Sequence, residues 1–188
     1  SGVLDPIPSG TITVTPGSAN HLSFVQQPTN DTAGTIMTPP VSVQLKDSLG
    51  NNVQIPGIEV TIALSSGTGT LSGTSSQSTN SSGVARFDDL SINLVGTKQL
   101  TASSAGLTPA VSGSFTINPA SASQLVFIQQ PTNDTAGTVI TPSITVQLRD
   151  GLGNNVSSSG VSIVMTLTTG TGTLSGTTTR TSNSSGVA

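Results

Sequence analysis

Side chains able to do chemistry are scarce in this 188-residue chain, and most come in matched pairs. Asp47 and Asp150 are each followed, one residue on, by Leu-Gly-Asn-Asn, and Asp31 and Asp134 both sit in Thr-Asn-Asp-Thr. Oxygen atoms gathered near a turn are what calcium ligates, so Asp47 and Asp150 are the candidate metal ligands. Calcium takes about six to eight oxygens, however, and each loop offers one carboxylate. The competing reading is an Asx-type turn, in which the aspartate accepts hydrogen bonds from its own turn. No cofactor is expected, calcium being the one ion for which candidate ligands exist.

Catalysis has less to work with. Acid, base or nucleophile chemistry needs a partnered group. His21 is the single histidine, and Gln124 stands in its place in the matching segment. Serine and threonine abound, but nothing in the sequence activates them, so the chain is read as no enzyme. Asn30, Asn80, Asn133, Asn155 and Asn183 fit the Asn-x-Ser/Thr acceptor pattern for glycosylation. A lysine–asparagine cross-link would need a lysine in each copy, and Arg149 stands where Lys46 would recur.

The pairs arise from an internal repeat. Shifting the chain by about 103 residues lays residues 21–28 on 124–131, and the match continues without a gap. It carries TNDTAGT, LGNNV, GTGTLSGT and NSSGVA in both copies. Residues 1–18 then read as the terminal strand of a preceding repeat, 19–121 as a complete repeat, and 122–188 as a repeat lacking its last strands. Within the first of these, Ile12 and Val14 fall on Phe115 and Ile117.

The composition sets the class of element that must hold these residues. Hydrophobic residues make up 32% and charged residues only 7%, with 21 Gly and 11 Pro between short β-branched runs. That balance is unlike the charged, apolar-poor signature of disorder. The net charge of −3 comes from thinly spread groups, and five cations assemble no basic surface for nucleic acid. No apolar run approaches the roughly 20 residues of a membrane span, so no membrane insertion is expected in this segment. With no cysteine, disulfides and thiolate metal sites are excluded.

Alternation of apolar residues marks half-buried strands. Leu22 and Phe24, then Val41, Val43 and Leu45, then Ile58, Val60, Ile62 and Leu64 follow it, with Ser42, Gln44, Glu59 and Thr61 between them. Leu100 with Ala102 and Phe115 with Ile117 close the set. Gly and Asn at 49–52 and 80–83 supply turns, and Pro28 and Pro131 follow the first strand, where a missing N–H moves the chain to another sheet. Asp88 and Asp89 are expected in solvent. About seven short strands per repeat predict an all-β fold of tandem immunoglobulin-like Greek-key β-sandwiches. Pro-containing linkers at 15–19 and 118–122 should limit bending between them.

The pattern V-x-V-x-L-[KR]-D-x-L-G-N-N-V, an alternating strand, and then T-N-S-S-G-V-A-R-F resembles bacterial Ig-like tandem repeats of the invasin and intimin type. The resemblance implies rod-like modules of surface or secreted adhesin proteins, hence an extracellular or cell-surface location and a structural role as a stalk or filament. The expected partners are neighbouring repeats or identical subunits, arranged head to tail. Two alternatives stand beside that role. One is a filament subunit whose Ile12 and Val14 strand complements another chain, and the other is a carbohydrate- or protein-binding module.

Overall fold

The computed structural model describes residue 7 and residues 10–188. The remainder of the expected terminal strand therefore lies outside the described residues. In the first whole repeat the strands are β1 (His21–Gln26), β2 (Asp31–Thr32), β3 (Val41–Lys46), β4 (Glu59–Ser66), β5 (Leu71–Ser72) and β6 (Ser76–Ser78). They continue with β7 (Val84–Phe87), β8 (Ser91–Ile92), β9 (Gly96–Ser103), β10 (Ala110–Val111) and β11 (Phe115–Asn118). The second copy holds β12 (Gln124–Gln129), β13 (Thr145–Arg149), β14 (Ser162–Val164) and β15 (Thr179–Thr181).

Two sheets face each other. One runs β1-β3-β7, and the other runs β2-β11-β9-β4-β6 with β10 also on β9. The crossings between them make this an immunoglobulin-like Greek key. β3 and β4 are consecutive yet lie in different sheets, and so do β7 and β9. Pro28 acts as its position predicts. It sits between β1, paired antiparallel with β3, and β2, paired parallel with β11 in the opposite sheet.

The alternating residues meet in the core. Val41, Val43, Leu45, Val60, Ile62, Ala85, Phe87, Leu100, Ala102, Phe115 and Ile117 are all buried in one cluster. Side chains of period two from both sheets fill the gap between them, and burial of this apolar area drives the fold. The second copy has its own smaller cluster, Val146, Leu148, Val156 and Ile163, with Met165 and Ala188 against it. Leu125 and Phe127 are more exposed than their counterparts Leu22 and Phe24. In the first repeat, residues from β9 through β11 help to cover that face, and the second copy as given contains no such strands.

Residues 10–16 form no ladder, and Ile12 and Val14 are solvent-exposed. The residues expected to form the terminal strand of a preceding repeat are thus unpaired among the described residues. The equivalent Phe115 and Ile117 are buried in β11, which β9 and β2 flank.

One alternating position departs from the pattern. Gln44 lies on the outward side of β3 by period, yet it is buried. Its side-chain nitrogen donates towards the carbonyls of Leu45, Val53, Ser82 and Gly83 at 3.1–3.3 Å. Two turns fold over it, those following Asp47 and Asn80. Gln147 repeats the arrangement with Leu148, Ser185 and Gly186. Gly83 completes the clasp with φ of +74°, a Cβ there falling 1.9 Å from the Val53 oxygen.

Candidate functional site at the junction between repeats

The paired aspartates do their work where one repeat meets the next. Asp47 Oδ1 accepts from the backbone N–H of Leu49 at 3.0 Å and of Asn51 at 2.8 Å, which is the Asx-type turn. Its Oδ2 accepts from the Asn51 side-chain amide at 2.9 Å and from the Gly17 N–H at 2.9 Å. Gly17 belongs to the linker, 30 residues earlier. Asp150 does the same, accepting from Leu152, from the Asn154 backbone and side chain, and from the linker N–H of Ala120 at 3.1 Å. Gly17 and Ala120 are one repeat apart, so the grip on the linker is a property of the repeat.

Both carboxylates are almost sealed from solvent, Asp47 at 2% and Asp150 at 0% exposure. The Asn51 amide and then the Gly17 N–H hold the Asp47 carboxyl at about 2, against the opposing effect of burial. For Asp150, burial pushes upward most strongly, but the Asn154 amide, with the N–H groups of Asn154, Ala120 and Leu152, outweighs it and lowers the group. N–H donors favour the charged form and desolvation disfavours it. Each carboxylate is thus an anion whose oxygens are engaged by N–H donors, and among the described residues no group of three or more His, Cys, Asp or Glu converges on one point.

At the second junction the network reaches into the first repeat. The Asn154 amide donates to the Asn93 carbonyl at 3.0 Å while its oxygen accepts from the Val95 N–H at 3.2 Å. The loop it grips, between β8 and β9, is fixed from behind. Lys98 is buried at 1% exposure and its Nζ donates to the Val95 carbonyl at 3.0 Å. Burial lowers its pKa below the usual lysine range. On the other side, the Asn93 side-chain oxygen accepts from the Thr70 N–H at 2.7 Å. Leu152 leans on Gly34, where an added Cβ would lie 2.8 Å from its Cδ1. A continuous path of hydrogen bonds therefore runs from a buried lysine in one repeat to a buried aspartate in the next.

Other candidate residues play local parts. His21 begins β1 opposite Lys46, and Lys46 Nζ donates to the Gly50 carbonyl across the turn. Asp31 and Asp134 each accept from the following N–H and from a threonine hydroxyl four residues on. Asp88 pairs in solvent with Arg86, whereas Asp89 is half-buried and accepts twice from Thr74. The acceptor asparagines Asn30, Asn80, Asn133, Asn155 and Asn183 are all exposed. Asn80 and Asn183 accept through their side-chain oxygens from backbone N–H groups of their own turns.

No family model matches this chain, and no curated protein matches it. Among solved structures, it is similar to the D0-D1 domain of intimin at 18% identity, covering 90% of this chain and 82% of that one, with a TM-score of 0.38. It is also similar to InvD of Yersinia pseudotuberculosis at 18% identity and a TM-score of 0.47, covering 94% of this chain and 57% of that one. The order and crossings of its own strands make this chain an all-β protein of immunoglobulin-like fold.

Proposed function

We propose that this chain is a spacer segment of a surface-exposed, adhesin-type protein, in which Ig-like repeats are held at a fixed angle to build length. The observation that carries the reading is the junction. A flexible tether would leave the linker free in solvent, whereas here a buried carboxylate holds it and Asn154 bonds to the preceding repeat. The near-identity of the surface loops in the two copies supports the same role, since a surface that only separates two points has no need of a distinct site. Catalysis has no support, because the lone histidine stands at a strand end and the second copy lacks it.

The absence of cysteine makes the test direct. Ser81 and Ser184 are equivalent exposed positions on clasped turns. Spin labels on Ser81→Cys and Ser184→Cys should give one narrow distance distribution, broadened at least twofold by Asn154→Ala. A broad distribution in the parent protein overturns the spacer reading.

The exposed Ile12 and Val14 favour a second reading, strand complementation between chains. Removing residues 1–15 should then abolish polymers, and unaltered polymers would dismiss the idea. The spacer is preferred because it rests on the hydrogen bonds of the junction, between Asp150 and Ala120 and between Asn154 and both Asn93 and Val95.

A further inference from the structure

The two junction aspartates make the same four kinds of hydrogen bond, but the surfaces above them differ. Asn154 is 5% exposed, engaged on both amide atoms by the preceding repeat, and Leu152 is 48% exposed. Their equivalents one repeat earlier are uncovered: Asn51 is exposed, and Leu49 is 86% exposed. The Asn51 amide is nonetheless already aimed by Asp47, and the linker is already held through Gly17.

We infer that the end of the first repeat built from Leu49, Asn51 and Gly17 is a preformed socket, and that its occupant is the C-terminal end of another repeat of this kind, joined in phase through residues 16–18. The inference rests on the spacer reading and extends it to a second, unfilled interface. The established junction defines what the occupant must present. It needs a backbone carbonyl with a backbone N–H two residues on, as Asn93 and Val95 provide to Asn154. It also needs a glycine in the place of Gly34, because the φ of +78° there strains any L side chain and an added Cβ would press on the leucine Cδ1 at 2.8 Å. The chain carries that second feature again at its far end, where Gly137 has φ of +86° and open space above it. A partner without these features would leave the Asn51 amide unpaired on docking, which costs more than leaving it in water. A socket ordered before its occupant arrives loses little freedom on docking.

The test adds an in-phase copy of residues 19–118 directly ahead of Pro16 in the full chain. Spin labels on Ser81→Cys of the added copy and of the original repeat report the new junction, and the Ser81 and Ser184 pair reports the old one. The expected result is the same mean distance and width for both pairs. Asn51→Ala should broaden only the new pair, by twofold or more, and Asn154→Ala only the old. Leu49→Glu, at a position too exposed to affect folding, should also broaden the new pair with the melting temperature unchanged. A broad new pair that ignores these substitutions while the old pair stays narrow overturns the socket alone. An old pair that is broad overturns the spacer reading and the socket with it. Self-association of the unextended chain, measured by sedimentation and abolished by Leu49→Glu, would make the occupant a second copy and overturn the in-phase assignment.

Discussion

Gly83→Ala tests whether the glutamine clasp under the junction turn is as tight as its distances imply. The residue has φ of +74°, and an alanine in the left-handed region costs about 1–2 kcal/mol. Its Cβ would sit 1.9 Å from the Val53 oxygen and 3.0 Å from the Gln44 side-chain nitrogen, so the turn has to move by more than an ångström. That movement breaks the bonds from Gln44 to Ser82 and Gly83. Each neutral hydrogen bond is worth about 1 kcal/mol, and more when a buried donor is left unpaired. The total is about 3–5 kcal/mol, a large share of the ~5–15 kcal/mol that holds a domain of this size. Thermal denaturation should show it, with the melting point of the first repeat lower by about 15–25 °C. Gly106→Ala is the control, since it has φ of +76° with nothing within 4 Å of the added Cβ, and should lose only the conformational part. Equal losses in the two variants would refute the clasp.

Acid should open the junction. Asp47 is held at about 2 against an ordinary 3.8, so its contribution is complete above about pH 4 and is lost as pH falls from there towards 2; Asp150 is lowered in the same sense, so its contribution too is lost only below the ordinary carboxylate range. The distribution between labels at 81 and 184 should stay narrow through the ordinary carboxylate range and widen only in stronger acid, because the Asp150 carboxyl is lowered. Asp150→Asn, which turns an acceptor into a donor facing N–H groups, should widen it at neutral pH and flatten the acid transition. Lys98 gives the opposite limb. Its folded pKa is depressed by burial, so the unfolded chain binds the proton more tightly and stability should rise as pH climbs towards 10.5, the ordinary lysine value. Lys98→Met should remove that rise in alkaline denaturation curves, and should also broaden the label pair because the Val95 carbonyl loses its support.

The repeat and most strands were legible because they rest on local pattern. Val41, Val43 and Leu45 could be placed by period alone, and Pro28 by its missing donor. The clasp was hidden because alternation puts Gln44 outside, and only two distant turns closing over it make it buried. Lys98 escaped for a similar reason, as a charged side chain at an inward position on β9 gives no sign that its stem will fill the sandwich end. The aspartates were found, and their turn bonds could be anticipated. Their third partner could not, since Gly17 and Ala120 lie 30 residues away and offer only a backbone N–H that any residue but proline carries. The unequal exposure of Leu49 and Leu152 is invisible in sequence, where the two are identical.

In the proposed spacer, the chemistry of the junction would hold the angle between repeats with very few charges. Opposite charges between repeats would attract over distance, but salt screens exposed pairs beyond about 8 Å at physiological ionic strength. Here the anion is buried and its donors are amides, so the attraction acts at about 3 Å, where no counterion can intervene. The single ion pair among the described residues, Arg86 with Asp88, lies on β7 and its following turn, away from the linker. It follows that the label distribution across the junction should be the same in 0.05 M and 1 M sodium chloride, while acid alone widens it. A distribution that broadens with salt at neutral pH would mean that long-range charge, not the aspartate grip, sets the angle between repeats.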